Sequence, residues 1–376
     1  MAEDSGERDD LDRSVNDGRS VDDGRRGLLK LAAAGGIGAS LIAAGLPLQA
    51  FAQESNPDWI PKVAAGGKKV RIGIPLGYGP YNQPWRRGCW RAIKKVLELG
   101  AEPVTLRGQP SKKSEQEMER ALLDRKIDAL LMGIYSGEEE SAYIAKEAHK
   151  RGIKTVGFAV NVVDSPAVIE DSFGTSLKLG YYMQDVLQRQ GTVVQTAENP
   201  GFYLPFDMEV ALMDLIVKYQ PKMKMLQFLP GGLSTQDETA ISRKNVTALL
   251  EANPKKGSIN ALVSWWWPDT VGAAQAIKRM NRTEIKVFNH YFSDQFLGDW
   301  ASGQYDIAAS TDTPWTDIGD KAAEIAVAMA RGENVPPRTY HVPVRFITTP
   351  KEAGDWQKQL KSWDLEAIKL LKQYGG

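Results

Sequence analysis

One cysteine, Cys89, and three histidines are all that the chain has of the side chains that build disulfides and most zinc sites. An internal disulfide is excluded, and no Cys/His cluster has the spacing of a structural zinc. An excess of one charge is missing too, since Lys+Arg and Asp+Glu both number 47 and the formal net charge is zero. A nucleic-acid binder needs surplus cations for phosphates, and a polybasic membrane-surface protein needs them for anionic lipid. No G-x-S-x-G elbow, H-E-x-x-H or P-loop lysine occurs, and Gly77-Tyr78-Gly79 lacks the third glycine and the downstream acid of a dinucleotide fingerprint. The carboxylates Asp207, Asp237 and Asp312 are scattered and define no glycosidase pair. Short-period repeats and low-complexity segments are absent. What remains is an ordinary globular composition, 42% hydrophobic and 25% charged over 376 residues, enough for about two domains.

The first fifty-two residues read as an address. A polar stretch leads to Arg25-Arg26-Gly27-Leu28-Leu29-Lys30, the pattern of a twin-arginine export signal. The apolar run after it is diluted by glycines and broken by Pro47, weaker than the ~20 strongly apolar residues of a spanning helix. Ala50-Phe51-Ala52 supplies a small-x-small cleavage site, which makes residues 1–52 a cleaved signal peptide and 53–67 a linker. The expected location is the periplasm, reached through the twin-arginine machinery.

From Lys69 the chain alternates short apolar runs with helical periodicity. Strands are expected at Lys69–Pro75, Pro103–Leu106, Ala129–Ile134 and Lys154–Val160, with helices between them. The same grammar restarts at Gly191, with strands at Thr192–Ala197, Met223–Phe228, Ile259–Ser264, Ile285–Asn289 and Ile307–Ser310. Helices are expected at Asp207–Tyr219, Asp237–Ala252, Val271–Lys278 and Trp315–Ala330, with a late strand Val342–Phe346 and an amphipathic tail helix. Met208, Met213, Met223 and Met225 read as core. The fold class is α/β, two successive lobes, each a parallel sheet covered by helices.

Ligands of such sheets sit beyond the carboxyl ends of the strands. The loops there carry Tyr78, Tyr81, Asn82, Asn161, Tyr203, Phe206, Gln236, Trp265, Trp266, His290 and Asp312. Aromatic plates with neutral amides and a few carboxylates suit a sugar or polyol. Its hydroxyls both donate and accept, and its C–H faces lie on rings. Consecutive strand side chains point to opposite faces, so at least one of Trp265, Trp266 and Trp267 is expected in the cleft, with Trp266 favoured. His149 is expected on an exposed helix, whereas His290 sits at a strand end.

The stretches KKVRIGIPLGYGPYNQPWRRGCWRAIKKV, KTVGFAVN, SFGTSLKLGYYMQDVLQRQGTVV, INALVSWWWPDTVGAAQAIK and DIAASTDTPWTDIGDKAAEIA resemble the type I periplasmic solute-binding proteins of ABC importers, in the ribose- and galactose-binding branch. The resemblance implies a three-strand hinge near Lys178, Asp312 and Val342, an N-terminal lobe of 68–178 with 313–341, and a C-terminal lobe of 179–312 with 342–376. It places Tyr78, Tyr81 and Asn82 at the family's ring-stacking element. Asn161 and Gln236 become polar contacts, and Tyr203 to Glu209 the segment that often presents an arginine, missing here. Trp266 stands where an Asn is usual, His290 for an Asp, and Asp312 for a hinge Gln or Asp. These replacements suggest a polyol, a deoxy or modified sugar, or a small heterocycle.

The expected function is that of an exported, monomeric solute-binding protein. It captures a small sugar or polyol between its lobes and delivers it to an ABC permease, with no cofactor, no metal and no catalysis. The alternatives are a ligand sensor for a chemoreceptor or histidine kinase and, further off, an exported glycosidase. Changing Arg25 and Arg26 to Lys is expected to leave the precursor in the cytoplasm on fractionation. Undiminished export would remove the twin-arginine reading.

Overall fold

The computed structural model describes residues 58–78, 83–135, 137–198, 203–232 and 237–374, all within the compact unit Glu54–Gly376. Arg25, Arg26, Ala50 and Ala52 lie outside the described residues, as do Tyr81, Asn82 and Gln236.

The first run of elements is β1 (Arg71–Gly77), α1 (Gln83–Glu98), β2 (Glu102–Gly108), α2 (Lys112–Leu123), β3 (Ala129–Met132), α3 (Gly137–Lys150), β4 (Lys154–Phe158) and β5 (Ala167–Glu170). The second run is α4 (Ser172–Val186), β6 (Gln190–Ala197), α5 (Leu204–Lys218), β7 (Lys222–Pro230), α6 (Glu238–Ala252), β8 (Ala261–Ser264), α7 (Trp267–Arg279), β9 (Lys286–His290), α8 (Asp294–Ala301) and β10 (Ile307–Asp312). The chain closes with α9 (Trp315–Ala330), β11 (Thr339–Val342), β12 (Arg345–Ile347) and α10 (Pro350–Gln373).

These strands form two sheets of six, in the orders β11-β5-β4-β3-β1-β2 and β12-β10-β9-β8-β6-β7. The pairings are parallel except that of β12 with β10. This is the two-lobe α/β architecture of a type I periplasmic binding protein. Central strands such as Ala-Leu-Leu-Met (β3) and Ala-Leu-Val-Ser (β8) are buried along their whole length, which is why they are apolar rather than alternating. The helices bury one stripe each; in α1 it holds Trp85, Cys89, Ala92, Ile93 and Val96. The long α10 starts with a reciprocal cap between Thr349 and Glu352 and a proline in its first turn.

Three expectations need correction. The strand β5 is absent from the sequence reading: four residues behind Pro166 are too few to show a period. The single late strand Val342–Phe346 is really two, β11 and β12, in different sheets. Pro343 lies between them, and a proline cannot donate to a ladder. The helix α4 packs as a whole on α5 and β10. Met208 is exposed, unlike the buried Met213 and Met223.

The two runs are also tied through a buried ion pair on α1. The Arg87 guanidinium on α1 grips Asp364 on α10 through two nitrogens at 3.0 and 2.8 Å, and it reaches the Phe292 carbonyl behind β9 at 3.3 Å. Asp364→Ala strands that buried cation and is expected to cost about 3 kcal/mol in urea unfolding. Asp355→Ala, which breaks only surface pairs with Lys351 and Lys358, is expected to leave the midpoint in place. Equal effects would deny the buried pair a special role.

Candidate functional site

In each sheet the strand order reverses around the first strand of its run, β1 or β6, which opens a crevice at the carboxyl ends. Two corners there repeat each other. Ala159, just past β4, has φ 64°, and Tyr291, just past β9, has φ 71°. The left-handed turn lets each amide bond onward to the neighbouring strand, Ala159 to the Val168 carbonyl at 2.8 Å and Tyr291 to that of Thr311 at 2.9 Å. Such a conformation costs a bulky residue on the order of 1 kcal/mol or more. At Tyr291 it is held by the ring's packing and by the phenol, which donates to Glu170 at the end of β5.

A cavity of about 410 Å³ opens where strand ends of the first sheet meet α4 and α5, with walls from both runs of elements. Asn161 and Glu170 face it from the first sheet, and Phe173, Tyr203 and Met208 from α4 and α5. The Asn161 side chain accepts from the Thr339 hydroxyl at 2.9 Å and donates to Glu138 at 3.3 Å.

Beside the cavity, aromatic rings run from one sheet to the other. Trp85 meets Trp315 edge to face at 5.5 Å, and Trp315 lies 6.2 Å from Tyr291. Tyr291 meets Trp266 at 5.3 Å, Trp266 lies 6.1 Å from Phe206, and Phe206 meets Tyr203 at 5.2 Å. The indole nitrogen of Trp315 is buried with no hydrogen-bond partner among the described residues, a donor that a hydroxyl could satisfy.

The tryptophan triplet does not alternate along a strand as expected. The strand β8 stops at Ser264, Trp266 is the N-cap of α7, and Trp267 already belongs to the helix with Pro268 behind it. Trp265 is fully buried and donates to Gln195 at 2.7 Å. Trp266 points toward the rings of Phe206 and Tyr291, and its indole donates to Glu238 at 2.8 Å.

Other expected residues are distributed unevenly. Tyr203, Phe206, Trp266 and His290 are brought together. Tyr78 lies apart from them, buried, with the Arg107 guanidinium 5.0 Å over its ring. Asp312 is occupied with structure, accepting the Phe292 amide at 2.9 Å and facing Arg345 at 3.4 Å. Asp237 caps α6 through the Ala240 amide. His149 is exposed, bonded to the Thr155 hydroxyl at 2.7 Å.

Two buried acidic groups escaped the sequence reading. In one, Glu170, Glu209 and His290 place one ligand atom each within 4.8 Å of one another, the single set of its kind among the described residues. Burial pushes the Glu170 carboxyl up, but His290 and the hydroxyls of Thr313 and Tyr291 outweigh it and hold it below the ordinary value. Burial and then the Glu170 charge push the Glu209 carboxyl well above its own. In the other group, Glu238 crowds Gly232 and Asp269 crowds Gly231, where a Cβ would stand 2.2 Å from the Asp269 carboxylate. A larger residue cannot take that place.

Burial raises Glu238 from 4.5 to about 7, against the Trp266 indole donor. The folded chain therefore holds a proton that the unfolded chain has released, and this group's contribution to stability falls as pH rises from about 4.5 to 7. Glu238→Gln is expected to flatten the melting temperature across that window. An unchanged slope would assign the dependence to another group.

The sequence matches the periplasmic binding protein domain over residues 75–334. No curated protein matches it closely enough to count as a relative. Among solved structures it is similar to an ABC transporter solute-binding protein from Agrobacterium vitis with bound allitol, at 24% identity and a TM-score of 0.68, covering 78% of this chain and 99% of that one. A 5-methylthioribose transporter solute-binding protein from Thermotoga lettingae, in complex with 5-methylthioribose, is similar at 21% identity and a TM-score of 0.66, over 86% and 96% of the two chains. The binding component of an arabinose ABC transporter from a Shewanella species, bound to arabinofuranose, follows at 16% and 0.67, over 80% and 98%. With the crevice, the doubled corner and the domain match in agreement, the chain belongs to the periplasmic binding protein domain family.

Proposed function

We propose that this protein captures a small sugar or polyol between its two sheets and delivers it to an ABC permease after export to the periplasm. The observation that carries the reading is the cavity of about 410 Å³ where carboxyl strand ends of the first sheet meet α4 and α5. That volume suits a small ligand. Its wall offers an amide at Asn161, a carboxylate at Glu170 and a phenol at Tyr203, with the ring series beside it. Hydroxyls would pair with the first three and C–H faces would cover the rings. Allitol, 5-methylthioribose and arabinofuranose, bound by the similar structures, share this chemistry.

Each lobe would carry one sheet, and the chain would bend where it passes between sheets at Asp171, after Asp312 and after Val342. Tyr81, Asn82 and Gln236 remain proposed contacts from loops bordering the crevice. Binding alone accounts for the function, with closure presenting a surface to the permease.

A thermal-shift series of the chain against pentoses, hexoses and polyols is expected to give one saturable stabilisation, worth about 2.7 kcal/mol at a hundredfold excess over Kd. Trp266→Ala is expected to weaken that ligand by more than ~1 kcal/mol. Trp265→Ala should instead lower the stability of the unliganded protein by about 3 kcal/mol or more. No response to any sugar or polyol would remove the ligand class, and unaltered affinity in Trp266→Ala would remove the stacking role.

A further inference from the structure

Two neighbouring helices of the second run carry an exposed apolar face. On α5, Leu204, Met208, Leu215 and the C-cap Tyr219 are 45–80% exposed. Their helical spacing puts them on one side. On α4, Phe173 and Tyr181 are 57% and 55% exposed, with the half-buried Leu177 between them. The two helices lie side by side. The Ser176 hydroxyl donates to the Glu209 carbonyl at 3.4 Å, and the Gln184 amide donates to the Ile216 carbonyl at 3.2 Å. Along α4 the buried Thr175 and Leu179 come one position before the contact residues Ser176 and Gly180, and Leu177 and Tyr181 come one position after. The contact with α5 therefore lies between the sheet-facing side and the exposed side, and the two stripes join into one face. Phe173, Leu204 and Met208 also border the cavity, whereas Tyr181, Leu215 and Tyr219 lie beyond it, so the crevice does not account for the face.

The face is symmetric about its own middle. Leu204 and Tyr219 are equally far along α5 from the point between Ala211 and Leu212, and so are Met208 and Leu215. Phe173 and Tyr181 are placed in the same way about Leu177. The bonds between the helices join residues 33 and 32 positions apart, which sets Leu177 level with the middle of α5 to within a turn. One two-fold axis through that level lays each half of the face on the other half of a second copy. Leu204 then meets the partner's Tyr219, Met208 the partner's Leu215 and Phe173 the partner's Tyr181. At the centre the small, exposed Ala211 lets the helices approach closely. On the flank, Asp207 comes within a turn of the partner's Lys218, its opposite in charge.

We infer that α4 and α5 pair two copies of this chain in an isologous contact with the α5 helices antiparallel, in place of the monomer expected from the sequence. The composition suits an interface, whose centre is rich in Phe, Tyr and Met and poor in charge. The six exposed side chains present on the order of 600 Å² per copy, near the ~800 Å² that each partner gives to a stable complex. Matching halves serve self-pairing alone, since a different partner has no use for them. Because Phe173, Leu204 and Met208 border the cavity, the partner's Tyr181, Tyr219 and Leu215 would stand at its mouth.

The test follows the mass of the full chain by analytical ultracentrifugation across the micromolar range. A concentration-dependent dimer is expected. Leu215→Asp and Tyr219→Asp, which put charge into the apolar face, are each expected to weaken it more than about thirtyfold. Tyr143→Asp, at a similarly exposed ring on α3, is expected to keep the dimer. The one cysteine, Cys89, is buried, so under mild oxidation Ala211→Cys is expected to give a disulfide-linked dimer and the wild-type chain none. A monomer at every concentration would overturn the pairing and leave the face to another partner, such as the permease. An open-ended series of oligomers, or a dimer that survives both Leu215→Asp and Tyr219→Asp, would overturn the two-fold contact. If those variants fail to fold by circular dichroism, the Ala211→Cys disulfide decides.

Discussion

A carboxylate taken out of water must be met by donors or by positive charge, and Glu170 is where the structure meets this demand across its seam. The residue ends β5 of the first sheet, yet its donors come from beyond β9 and β10 of the second, Tyr291 and Thr313, with His290 beside them. Burial alone would favour its neutral form; these partners reverse that preference. The left-handed turn at Tyr291 belongs to the same arrangement, because only that turn both continues the ladder to β10 and aims the phenol at Glu170.

The ring series grows from the same point. Tyr291 stacks within reach of Trp315 on one side and Trp266 on the other, so the phenol that satisfies Glu170 also aligns the aromatic wall. Indoles and phenols fit this role because each buries a large apolar face while its polar edge finds a partner. Trp266 finds Glu238 and Tyr291 finds Glu170, whereas the buried Trp315 nitrogen has no hydrogen-bond partner among the described residues. The wall is apolar over its faces and hydrogen-bonding at its rim, the chemistry on which the proposed sugar or polyol binding rests.

Much of the fold was legible because parallel strands buried on both faces must be apolar runs, and the helices covering them must show a stripe. Ala129–Met132 and Ala261–Ser264 announce themselves in this way. Strand β5 does not, since four residues carry no period. The split of β11 from β12 was equally hidden, because Val342 and Arg345 look like one strand until they are seen to pair with different sheets. Of the proposed contacts, Tyr203, Phe206 and Trp266 were conspicuous in the sequence as rings just past strands, and they stand at helix starts. Glu170 and Glu209 were passed over because a single glutamate at a strand end or in a helix has no sequence signature of burial.

The sequence by itself determined that the chain is α/β in two successive runs, with rings and amides gathered past the carboxyl ends of strands and no excess charge for phosphates. These properties follow from local period and composition, which act over a few residues. Tertiary structure alone decided that Trp265 would be core while Trp266 joined the ring wall, and that Asp312 would hold the Phe292 amide and face Arg345. It also brought Glu170, Glu209 and His290 together. Their meeting depends on three separate passages of the chain, and neither the pairing of distant strands nor the loss of water around a charge is encoded in any one segment.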